Sequence, residues 1–197
     1  MRRSNYEILK KETQNLALVW KRVHGIAPKE VADKMDKAML EWMVELTNCL
    51  ALWIDKGETM SVGELILARV NLGALVEAWL RFFYYVFCVD YWKKPKTKKS
   101  GSAIKIEKLE FEDLKTFSIG ILWDDVKNKE YLWVDKIQSM RNSIHILQYR
   151  DIGNAEDFLK DIEEYYNFVH HILECLPSVE EELDSYPEGY ESNVYFD

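Results

Sequence analysis

From Trp79 to Trp92 the chain is apolar on nearly every side: Trp79, Phe82, Phe83, Tyr84, Tyr85, Phe87, Tyr91 and Trp92 crowd into one short stretch. A helix without a polar face must be buried on most of its surface. The segment is therefore expected either at the centre of a helical bundle or against a second copy of the chain. Its longest uncharged apolar run, residues 82–89, is far shorter than the ~18 residues a membrane span needs. The first residues, MRRSNYEILKKETQ, carry charges without an apolar run and do not read as a signal peptide. No membrane association and a cytoplasmic location are expected.

The signals around that stretch are helical. Ser61 and Glu64 have capping-box spacing, with Met60 and Leu65 at the positions of a hydrophobic staple. The spacing predicts a helix from there to about Trp92, with a bend near Gly73. Upstream, Ser4 and Glu7 suggest a cap for a first helix that carries Leu9, Leu16, Trp20 and Val23, has His24 in its last turn and ends at Gly25. Pro28 suits the first turn of a second helix, whose stripe runs from Val31 through Met35, Met39, Trp42, Leu46 and Leu50 to Trp53. Gly57 to Met60 is short enough to fold the second helix back on the third as an antiparallel hairpin. Downstream, Phe111, Leu114, Phe117 and Ile121 predict a shorter helix, and another runs from about Lys129 to Leu147. Asn154 caps a last helix lined by Phe158, Ile162, Tyr165, Val169 and Leu173.

The fold class expected is all-α: an antiparallel bundle of five to six helices over residues 1–176, followed by an acidic tail over 177–197. Eight Gly and four Pro in 197 residues are too few for the frequent turns of a sandwich or barrel. Cys49, Cys88 and Cys175 are scattered without C-x-x-C spacing, which favours small buried hydrophobes over a disulfide framework or a zinc ribbon. Adjacent His170 and His171 do not have metal-ligand spacing, so no metal or other cofactor is expected. No dinucleotide fingerprint, P-loop or nucleophile elbow is present to indicate a small-molecule enzyme.

The net charge of −8 hides an asymmetry. Residues 151–197 hold fourteen acids and one base, whereas residues 1–150 hold twenty acids and twenty-five bases. The body can tolerate a polyanion that the C-terminal end would repel. Five lysines, Lys93, Lys94, Lys96, Lys98 and Lys99, fall within the segment KKPKTKKSGS, which reads as an exposed loop or, alternatively, as an arm that attracts phosphates.

On the helix expected over 129–147, Ile137, Met140, Ile144 and Leu147 form a core stripe, and Gln138, Arg141, His145 and Gln148 form a polar stripe beside it. Arg141 and His145 would then be i, i+4 neighbours on one face. Arginine offers a fork of donors to phosphate oxygens, and histidine moves protons near neutral pH. The plainer alternative is that Arg141 pairs with an acid and His145 caps a carbonyl.

The string VDKIQSMRNSIHIL followed by YRDIG, together with NLGALVEAWLRFF (residues 71–83), resembles the HEPN family of prokaryotic helical domains over roughly residues 60–175. The resemblance implies an all-α bundle that forms a homodimer and brings two Arg–His pairs to a shared cleft. It also implies a metal-independent endoribonuclease of a toxin–antitoxin or phage-defence system, with RNA as substrate and an antitoxin or other protein as partner. On this reading Arg141 stabilises the phosphate, His145 is the acid–base group, Asn142 contacts or orients RNA, and Glu77 positions Arg141. Glu77 also has Arg81 at i+4 as a competing partner. The family signature puts four to six residues between Arg and His, and here there are three, Asn142, Ser143 and Ile144. A catalytically silent helical dimer that binds a protein or nucleotide is the second function class, and the family contains both.

Overall fold

A computed structural model describes residues 3–145 and 147–179. Among them eight α-helices follow in order: α1 Arg3–Trp20, α2 Lys29–Met35, α3 Leu40–Lys56, α4 Val62–Val86, α5 Cys88–Lys93, α6 Phe111–Phe117, α7 Lys129–Arg141 and α8 Ala155–Cys175. The architecture is all-helical, as expected. The tail from residue 180 onward lies outside the described residues.

Ser61 starts the helix around which the others pack. Its hydroxyl accepts the backbone N–H of Glu64, and the Glu64 carboxylate accepts the backbone N–H of Ser61, so both halves of the capping box form. From that cap α4 runs 25 residues and packs against α2, α3, α5, α6, α7 and α8. Leu72, Leu75, Val76, Trp79 and Leu80 are wholly inaccessible. Trp79 donates its indole N–H to the Tyr165 hydroxyl of α8 at 2.8 Å, and Trp20 of α1 meets Phe82 edge-on at 5.5 Å. Burial also raises the pKa of the Tyr165 hydroxyl above its ordinary value. Of the two alternatives for residues 79–92, the central position is the one observed. The apolar surface that suggested a homodimer is covered within the chain, leaving only Val89 and Trp92 substantially exposed there.

The expected six helices become eight because two of them break. The stripe read through residues 31–53 divides at Asp36–Met39, and α3 buries Leu40, Met43, Thr47 and Leu50, one step round from the expected face. Met39 and Trp42 are consequently exposed. The third helix breaks at Phe87, whose φ of −96° and ψ of 31° turn the chain into α5. No bend is needed at Gly73, which is an ordinary residue of α4 with a different role. At the N-terminus Arg3 is already helical and the Ser4 hydroxyl turns to the Asn5 side chain, so Ser4 is not the cap. The first helix ends at Trp20. His24 lies beyond it, 2.8 Å from the Asp36 carboxylate, and Gly25 makes a turn at φ +84°.

The last helices are positioned by polar ties. Asn154 caps α8 in a full capping box with Asp157, as its position suggested. In the core Asp161 of α8 is 2% exposed and receives three donors: Arg69 of α4 at 2.5 Å, Lys136 of α7 at 2.8 Å and the Trp133 indole at 3.1 Å. Arg69 also donates to the Ile152 carbonyl at 3.0 Å, which fixes the entry to α8. A buried carboxylate needs this saturation, since an unpaired buried charge costs several kcal/mol.

The Glu64 carboxyl has its pKa lowered to about 2 from the ordinary 4.5, chiefly by the Lys56 ammonium and then by the Ser61 N–H. Because the folded value lies below the unfolded one, the stabilisation is present above about pH 4.5 and is lost as pH falls toward about 2. The difference in urea midpoint between the wild type and Glu64→Gln is therefore constant from neutral pH down to about 5 and shrinks toward pH 2. A difference that does not change with pH would contradict this.

Candidate functional site

α7 ends at Arg141, six residues before the expected Leu147. Asn142, Ser143 and Ile144 have low helix propensity, and the polar pair competes with the helix for its own backbone groups. They form one 3₁₀ turn, Asn142–Ile144, that carries the chain out of the helix. Arg141 and His145 are therefore not successive-turn neighbours on one α-helix. The core stripe stops at the same place: Ile137 and Met140 are buried, whereas Ile144 is half exposed and Leu147 and Tyr149 are 97% and 94% exposed.

Arg141 lies against α4. Its stem rests on Gly73, where an added Cβ would stand 2.5 Å from the Arg141 Cβ and 2.8 Å from its Cγ. Only a residue without a side chain allows α7 to approach this closely. The guanidinium reaches Glu77 Oε2 at 2.5 Å and lies 5.8 Å from the centre of the Phe111 ring. Glu77 Oε1 in turn accepts from Arg81 at 2.8 Å, and Arg81 also donates to the Ile106 and Leu109 carbonyls at 2.7 and 2.8 Å. The two alternative partners of Glu77 are thus both present, one on each oxygen. The three side chains are 17% (Glu77), 23% (Arg81) and 33% (Arg141) exposed, so the cluster is at the edge of the core.

His145 is exposed, and its imidazole makes no hydrogen bond or ion pair among the described residues. Its backbone N–H donates to the Asn142 carbonyl at 3.1 Å. The Asn142 side chain is half-buried, and the Ser143 hydroxyl is buried without a partner among the described residues. Chemically, the turn offers an arginine anchored by a carboxylate and, four residues on, an exposed imidazole.

The lysine segment is more ordered than a linker. Lys98 N–H donates to the Ser102 carbonyl and Ile104 N–H to the Lys96 carbonyl, both at 2.8 Å, which closes a small hairpin turn bridged at Thr97 and Ala103. The Tyr91 hydroxyl donates to the Ile104 carbonyl, and Lys96 pairs with Asp113 at 2.5 Å. Lys93, the last residue of α5, pairs with Asp90. Lys94, Lys98 and Lys99 make no ion pair among the described residues, so three of the five charges remain available.

The remaining histidines act as ties between helices. His171 Nδ1 lies 2.6 Å from Glu130, which also accepts the Trp123 indole N–H, and His170 lies 3.4 Å from Glu12. Among the described residues no cluster of three or more His, Cys, Asp or Glu could hold a metal ion, and no helix is long and apolar enough to cross a membrane. No family model matches the chain, and neither a curated protein nor a solved structure matches it.

Sequence reasoning missed Gly73 and Phe111 as parts of this cluster. A glycine inside a long apolar helix is a signal for close approach of another backbone or side chain, and it was open to that reading as well as to a bend. For Phe111 nothing local distinguished a core residue from one beneath an arginine.

Gly73 yields a prediction whose sign is decisive. On helix propensity alone Gly→Ala stabilises by ~1 kcal/mol. Overpacking against Arg141 costs ~1–3 kcal/mol and should win. Gly73→Ala therefore lowers the stability measured by urea denaturation, and a stabilised variant would contradict the close contact between α4 and α7.

Proposed function

We propose that this chain is an HEPN-like, metal-independent endoribonuclease of the toxin or phage-defence kind, acting on RNA in the cytoplasm through Arg141 and His145. The observation that carries the reading is the pairing of roles at the exit of α7: Arg141 is anchored by Glu77, while the His145 imidazole is exposed and has no partner among the described residues. In the proposed reaction the RNA 2′-hydroxyl attacks the adjacent phosphorus and the 5′-oxygen leaves. The products are a 2′,3′-cyclic phosphate and a free 5′-hydroxyl. His145 accepts the 2′-hydroxyl proton or donates one to the leaving oxygen, a role worth ~10²–10⁴ in rate. Arg141 meets the charge that develops on the phosphorane oxygens, worth ~10²–10³. Asn142 contacts the RNA beside them. Lys94, Lys98 and Lys99 steer the polyanion toward the body of the protein, with Lys93 and Lys96 held in reserve by their acids.

On this reading two copies associate across the exit turn, and each supplies an Arg–His pair. Leu147 and Tyr149, whose side chains are almost fully exposed, offer the apolar surface for this association, whereas residues 79–92 are covered within the chain. A second reading rests on the same apolar residues together with the engagement of Arg141 by Glu77: a silent module in which the turn docks a protein partner, such as an antitoxin, or a nucleotide.

The test is cleavage of single-stranded RNA by purified protein in EDTA. The proposal expects cleavage by the wild type and loss of ~10²-fold or more in His145→Ala and in Arg141→Ala, with both variants folded. Intact RNA across pH 5–9, with or without added divalent metal, would overturn the nuclease reading in favour of the silent module.

A further inference from the structure

The electrostatics of the cluster identify a residue that the Arg–His motif leaves out. Glu77 is a single carboxylate shared by two guanidiniums, Arg81 on Oε1 at 2.8 Å and Arg141 on Oε2 at 2.5 Å. The cluster therefore carries a net charge of +1. A one-to-one pair of Glu77 with Arg141 would be neutral and would compete directly with any anion for the same guanidinium. Such competition matters most for partly desolvated charges, where each interaction is stronger than in bulk water. Arg81 cannot easily move toward the ligand itself, because two of its donors are committed to the Ile106 and Leu109 carbonyls. We propose that Arg81 is a positioning residue that offsets the Glu77 charge, so that Glu77 orients Arg141 without neutralising it and Arg141 keeps the capacity to bind a phosphodiester. The inference rests on the reading of Arg141 as a phosphate-binding group and specifies how that group is kept available.

The proposal separates orientation from charge, and that separation gives the test. A fluorescein-labelled 2′-O-methyl RNA 12-mer, which lacks the attacking hydroxyl, is titrated with full-length protein in EDTA at low salt. Arg81→Gln leaves Glu77 bound to Arg141 alone and is expected to weaken binding by roughly five-fold or more, as loss of a close charge interaction does. Glu77→Gln in the same chain removes the excess negative charge, restores the wild-type net charge and is expected to return affinity to within about two-fold of wild type. Lys11→Gln, an exposed change on α1 with the same charge difference as Arg81→Gln, controls for net charge and is expected to shift affinity less than about two-fold. Should Arg81→Gln fail to fold, Arg81→Lys keeps the positive charge while losing the fork to the two carbonyls, and is expected to retain binding within about three-fold.

Failure of the double variant to recover binding would reduce Arg81 to a structural tie and overturn the proposal, as would an Arg81→Gln loss no larger than that of Lys11→Gln. With Arg81→Lys as the folded variant, a loss beyond about three-fold would overturn it as well. A wild type that binds neither the oligonucleotide nor inorganic phosphate would overturn it too, since Arg141 would then not be an anion site. Rescue of binding in a protein that never cleaves RNA supports this proposal while removing the nuclease reading. Cleavage without rescue does the reverse.

Discussion

A helix that is apolar on every side is stable only where other elements cover it, and α4 sets this requirement for the whole chain. The other seven helices all touch it, α1 through Trp20 on Phe82. Any polar side chain it carries is then drawn into the core or its margin, where an unpartnered group costs ~1–3 kcal/mol and a charged one more. Four of its polar residues are each answered by a different neighbour. Arg69 meets Asp161 of α8, Asn71 takes the Trp53 indole and the Leu46 carbonyl of α3, Glu77 takes Arg141 of α7, and Arg81 takes the carbonyls of Ile106 and Leu109 before α6. Apolar burial holds the layers together without direction, while these four residues fix which layer lies where.

The candidate site follows from that arrangement. Gly73 lets α7 come close enough for the Arg141 stem to lie on α4, and Glu77, one turn further along, receives the guanidinium. α7 then ends because Asn142, Ser143 and Ile144 are weak helix formers, so the chain leaves the core at the residue that the core has just anchored. The result is a cation fixed at its stem and its carboxylate, followed by an exposed turn that carries His145. Fixed donors at the margin of a core are better suited to stabilising developing charge than mobile ones, because little reorganisation is left to be done.

Much of the fold was legible because its signals are local. The Ser61 and Asn154 caps, the apolar run from Trp79 and the stripe of α8 each depend on residues within two or three turns of one another. The breaks were not legible. Asp36–Met39 and Phe87 contain no glycine or proline, and on both sides of each the apolar residues continue at nearly helical spacing, so periodicity alone carries through. The same continuity placed Ile144 and Leu147 in a stripe that the chain abandons. For the site, the sequence indicated Arg141, His145, Asn142 and Glu77 as candidates, and the pairing of Arg141 with Glu77 is met in the structure. The rest depends on distance across the bundle: that Glu77 serves two arginines, that Gly73 faces Arg141 and that Asp161 collects Arg69 and Lys136. Local spacing does not encode these contacts.

α4 directs its neighbours through specific polar ties, and Glu77–Arg141 is the tie that creates the site. A double-mutant cycle on these two residues tests it most directly, using Glu77→Gln, Arg141→Met and the double variant in urea denaturation at neutral pH. Residues joined in one ionic network couple by ~0.5–3 kcal/mol, and the account predicts a coupling of about 1 kcal/mol, reduced from a fully buried pair by the partial exposure of Arg141. Additivity within about 0.3 kcal/mol would mean that the two residues stand near each other without depending on each other, and would contradict the account.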